Sequence, residues 1–137
     1  MELADIKIFF ISSFFLLFAE ALWNFFMLTG TLYIFKQRAI LYTKKFYYYI
    51  IYGAIASTLT DRGFRYLIIE LDFLKDIWQK TGLLVHLGFI IIPIIILTII
   101  HYWLASEVFN LDSKTSFKIA LIMAILTAPW PIFVSNL

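Results

Sequence analysis

Long apolar runs separated by short polar stretches set the pattern of this chain. The first run extends from Ile8 to Phe35. As a helix it would be roughly 42 Å long, more than the ~30 Å hydrocarbon core of a bilayer. A span over 8–35 must therefore tilt, or let its last turns emerge around Thr29-Gly30-Thr31. Ala19-Glu20-Ala21 resembles a signal-peptide cleavage site, but the start is acidic (Glu2, Asp5) and apolarity resumes at once in Leu22-Trp23-Asn24-Phe25-Phe26. Those features favour a retained helix.

The second run, Phe46 to Thr60, reaches membrane length only if Ala39 to Thr43 joins it, with Lys44 and Lys45 snorkelling to the surface. The predicted span is 39–60. Residues 62–79 change character. Phe64, Leu67, Ile68, Leu71, Leu74 and Trp78 recur at helical spacing, and Arg65, Asp72, Asp76 and Gln79 fall opposite. This predicts an amphipathic helix lying in the membrane interface, with Tyr66 and Trp78 at headgroup depth and Asp61 as its cap. Gly63 weakens its first turn.

The third span, 83–104, is the clearest. Pro93 should kink it, and Tyr102 and Trp103 form an aromatic belt at its end. Glu107 to Lys118 reads as a polar turn. A fourth span over 119–135 closes the chain, broken near its end by Pro129-Trp130-Pro131. The expected fold is all-α: four transmembrane helices in one membrane domain, with the interfacial helix between the second and third.

Composition agrees. Of 137 residues, 63% are hydrophobic and 15% charged, and the mean hydropathy is +0.91. So few charged groups would leave too much apolar surface in water. The expected partner is the lipid bilayer, with other membrane subunits or further copies of the chain. The expected location is integral and multi-pass, in the plasma membrane if the source is prokaryotic. The net charge of +2 suits anionic headgroups, and no basic stripe or motif suggests nucleic acid. The absence of cysteine excludes disulfides, thiolate metal sites and cysteine nucleophiles.

Loops 36–45 and 107–118 carry Lys36, Arg38, Lys44, Lys45, Lys114 and Lys118; the other side carries Lys7, Arg62, Arg65, Lys75 and Lys80. The first loop is purely basic, whereas residues 61–80 hold four acids. This places those two loops in the cytoplasm and both termini outside. The two halves do not repeat, so no inverted-repeat transporter pattern is present.

Lipid makes polar residues informative. Ser13, Glu20, Asn24 and Thr31 are spaced by 7, 4 and 7, which puts them on one narrow face of the first helix. An ionised carboxylate in mid-membrane costs several kcal/mol unless it is protonated or paired. That face should therefore point into the bundle. Its role is either interhelical adhesion or a proton- or cation-handling position.

His86 and His101 lie roughly 22 Å apart on one helix, too far to share a metal or haem, and read as polar ends of the third span. His101 with Glu107, Asp112 and Lys114 could serve a headgroup reaction, although the spacing matches no catalytic motif. Arg62 and Arg65 are candidate headgroup contacts. Gly53 with Ser57, and Ala120, Ala124 and Ala128, form small-residue stripes that let helices approach closely. No catalytic residue, metal site or cofactor is expected. The leading expectation is a non-enzymatic subunit, accessory or scaffold of a membrane assembly. The alternatives are a small oligomeric transporter or channel centred on Glu20 and an enzyme acting on a membrane lipid near His101.

Overall fold

The computed structural model describes residues 3–129, and among them all regular structure is helical. Helix α1, Leu3–Ile34, contains no proline and only Gly30 to interrupt its apolar run. It ends in a Schellman turn: Lys36 takes φ 58°, the Gln37 amide donates to the Leu32 carbonyl at 2.8 Å, and the Lys36 amide donates to Tyr33. A tight turn at Arg38–Ile40 follows.

Helix α2 spans Lys44–Glu70. Ala39 to Thr43 does not join it, because Thr43 is extended and its hydroxyl accepts the Phe46 amide as an N-cap. At its other end α2 runs ten residues past Thr60, since nothing at Thr60-Asp61-Arg62 stops a helix. Asp61 therefore lies inside α2 and caps nothing. The single helix expected over 62–79 is in fact two pieces, divided where Leu71 turns extended (φ −90°, ψ 104°). The second piece is α3, Asp72–Lys80, which buries Trp78 and exposes Lys75, Asp76, Gln79 and Lys80.

Helix α4, Leu83–Phe89, and helix α5, Ile91–Trp103, divide the third apolar run. The break at Ile90 follows from Pro93, which has no N–H to give the Phe89 carbonyl. Beyond α5 the chain widens into a π-turn, Leu104–Val108, before Asn110 (φ 53°) reverses it. Helix α6, Ser113–Thr127, begins earlier than the polar turn expected through Lys118. The cause is Asp112, whose carboxylate accepts the Thr115 amide at 3.0 Å. Pro129 is buried just beyond α6; Trp130, Pro131 and the rest of the span expected to 135 lie outside the described residues.

That cap makes a testable pH dependence. The hydrogen bond from Thr115 holds the exposed Asp112 carboxyl below the ordinary aspartate value of 3.8. A depressed folded pKa means the cap contributes fully above the ordinary value and is lost as pH falls through the folded one. The Thr115 amide resonance should therefore shift only below about pH 4, and Asp112→Asn should abolish the titration.

Helix α1 packs on α2 and α6, and α5 packs on α2 and α6, so the four close into a ring: a helical bundle with α3 laid against α2. One core gathers Leu28, Leu32, Phe46, Tyr49, Leu104 and Met123; a second joins Ile68, Trp78, Ile90, Leu97, Ala124 and Ala128. Two helices, Leu3–Ile34 and His86–Val108, are long and apolar enough to cross a membrane. Neither α2 nor α6 meets that measure among the described residues. Helix α2 carries charge at Lys44, Lys45, Asp61, Arg62, Arg65 and Glu70, and α6 is 15 residues long, roughly 22 Å.

Candidate functional site

Helices α1 and α2 run antiparallel. Arg62 reaches Ser12, Asn24 faces Gly53, and the Phe25 and Phe46 rings meet. One turn from Asn24, Glu20 falls level with Ser57, which lies one turn from Gly53. Gly53 is what brings the helices together. A Cβ there would stand 3.2 Å from Asn24 Nδ2 and 3.3 Å from His101 Cε1.

At this crossing lies a buried polar centre. The imidazole of His101, fully buried, is hydrogen-bonded at both nitrogens: Nδ1 to the Tyr49 hydroxyl at 2.8 Å and Nε2 to Thr127 Oγ1 at 3.2 Å. Thr127 donates its own proton to the Met123 carbonyl at 2.7 Å. It must therefore accept from Nε2–H, which leaves Nδ1 to accept from Tyr49 and fixes the tautomer. The Tyr49 ring stacks on His101 and on Phe109, closing the centre on one side.

The other direction is unsatisfied. Asn24 is wholly buried, yet neither end of its amide has a hydrogen-bond partner. The same holds for the hydroxyls of Ser13, Ser57 and Thr58. Other helix hydroxyls here, those of Thr29, Thr31, Thr98 and Thr127, donate to the carbonyl four residues back. A buried amide or hydroxyl left unbonded costs about 1–3 kcal/mol. Their concentration along one interface marks it as a place for a polar guest.

The charged end of the seam lies one turn beyond Ser57. Asp61 is near enough to Glu20 to act on it electrostatically, and Arg62 and Arg65 act on Asp61. Arg62 is turned to α1: its Nη2 donates to Ser12 Oγ at 3.0 Å and its guanidinium covers the Phe9 ring.

Of the stripe on α1, Asn24 and Thr31 are buried, whereas Ser13 and Glu20 are half-buried. The structure does not gather His101, Glu107, Asp112 and Lys114. His101 is inside, Glu107 and Lys114 are exposed, and Asp112 is occupied as a cap. His86 is no free polar end either. It stacks on Trp78 with centroids 3.9 Å apart and donates to the Trp78 carbonyl at 2.7 Å, bracing α3 against α4. Gly53, Ser57, Ala120, Ala124 and Ala128 are all buried.

Tyr49 and Thr127 are additions to the residues picked from sequence, and Asp61, expected there as a helix cap, belongs instead to the charged end of the seam. A signal existed for Tyr49 and Asp61: Tyr49, Gly53, Ser57 and Asp61 repeat every four residues on one face of α2. Comparison with protein-family models, curated proteins and solved structures finds no match for this chain.

Proposed function

We propose that this chain is a small multi-pass integral membrane protein, working as a non-enzymatic subunit, accessory or scaffold of a larger membrane assembly. In this reading α1, α2, the α4–α5 pair and α6 make four crossings. Helix α3 lies in the interface, and the loops around 36–45 and 107–118 face the cytoplasm.

The observation that carries the reading is the surface of α1. Its buried residues are Asn24, Leu28, Thr31 and Leu32, all in its second half. The first half presents Phe9, Phe10, Phe14, Phe15 and Phe18 outward in several directions. Water penalises such a surface; lipid or an apolar partner covers it. Purification in mild detergent should give a particle heavier than one 16.1 kDa chain after the detergent is subtracted, with a stoichiometric companion or further copies. A lone monomer would overturn the reading.

The unbonded groups at Asn24, Ser57 and Thr58 favour a second reading, in which Glu20 handles a proton or cation. Reconstituted liposomes should then show cation or proton flux that falls at least tenfold in Glu20→Gln. Equal flux in the variant, or none in either protein, removes it.

A further inference from the structure

We propose that the seam between α1 and α2 binds one compact monovalent cation, a sodium ion or a proton carried on water, held by Glu20, the Asn24 side-chain carbonyl and the Ser57 hydroxyl. This rests on the second reading above and names its ligand.

Three observations converge. First, the donors are all oxygen. With its nitrogen against Gly53, the Asn24 amide turns its oxygen away, and that oxygen is buried and unbonded. Ser57, 2% exposed, has an unbonded hydroxyl one turn along α2. Oxygen-only sets favour hard cations. A cation also satisfies both groups in a way that no donor of this chain does.

Second, the field favours a positive guest. The charged neighbour acting on Glu20 is Asp61, another acid. Arg62 and Arg65 both act on Asp61, and Arg62 is also held on Ser12, so the positive charges here serve Asp61 and leave Glu20 without one. A positive guest beside Glu20 therefore meets an acid that has no cation of its own.

Third, the seam is closed at one end and approachable at the other. His101 presents a carbon, Cε1, towards Gly53, and its two nitrogens are engaged with Tyr49 and Thr127. Behind it Tyr49 stacks on Phe109. Glu20 and Ser13, by contrast, are only half-buried. A guest that passes Glu20 meets Asn24 before the His101–Tyr49 wall.

The test is equilibrium stabilisation, since a guest that binds the folded state raises its unfolding temperature. The protein is placed in nanodiscs of zwitterionic lipid. Sodium chloride then replaces choline chloride at constant ionic strength, and a parallel series in choline is acidified. A saturating guest should raise the midpoint by roughly 5 °C. A rise in the sodium arm identifies the ion; a rise in the acid arm alone identifies the proton if Ser57→Ala shrinks it, and an acid response that Ser57→Ala leaves intact is protonation of Glu20 by itself and overturns the site. Either response should vanish in the near-isosteric Glu20→Gln and shrink in Ser57→Ala. Indifference of the native protein to both arms, or equal responses in the variants, overturns the site. Flux without stabilisation would sink this inference while leaving the second reading standing. Stabilisation without flux would do the reverse.

Discussion

Replacing Gly53 by leucine is expected to destabilise the bundle by about 3 kcal/mol, towards the upper end of overpacking costs. The reason is that two helices meet over this one position. A single added carbon already stands 3.2 Å from Asn24 and 3.3 Å from His101, and neither neighbour is the loose end of a long chain. Three further carbons must push α1 and α5 away from α2. Gly53→Ala separates crowding from backbone effects. It needs only a few tenths of an ångström from Asn24 and from His101 and gains up to about 1 kcal/mol of helix preference, so its net change should be near zero. Unfolding in mixed detergent micelles measures both. A leucine variant as stable as the alanine one would show that Gly53 is not the point of closest approach.

His101→Ala should cost a comparable amount, about 3 kcal/mol, for a different cause. It empties a ring-sized volume at the crossing of α2, α5 and α6, and it strands the Tyr49 hydroxyl without an acceptor. Tyr49→Phe removes the donor and leaves the packing, so about 1 kcal/mol is expected. A double-mutant cycle between Tyr49→Phe and His101→Ala should show coupling of order 1 kcal/mol. Strict additivity would mean that the Tyr49–His101 hydrogen bond contributes nothing to stability.

What the sequence carries about this molecule is chiefly its radial arrangement. Helical spacing placed Ser13, Glu20, Asn24 and Thr31 on one face of α1, of which Asn24 and Thr31 are buried and Ser13 and Glu20 half-buried. Boundaries were less legible. They depend on single caps such as Thr43 and Asp112, whose hydrogen bonds stop a helix that periodicity alone would extend or delay. The run from 44 to 70 shows the opposite failure. A change from apolar to amphipathic pattern after Thr60 suggested a new element, but pattern reports what surrounds a helix, not where it ends. Length and apolarity pick out two helices as able to cross a membrane, against four read from the runs. The centre at His101 was out of reach for a simpler reason. Its partners lie 52 and 26 residues away, and local spacing holds no record of such pairings.

The ring of helices also sets an order in time. Helix α1 closes on α6, sealed by the Trp23 indole donating to the Leu126 carbonyl at 2.7 Å, between residues 103 positions apart. A chain made from its N-terminus cannot complete that contact until nearly all of it exists. Nor can His101 find Thr127 any sooner. Until then the first pair of helices lacks α5 and α6, and the meeting of Asn24 with Gly53 lacks the His101 ring that abuts it. The buried centre at His101 is thus the last part of the molecule to form, and Asn24 waits for its second neighbour until the chain has passed α5.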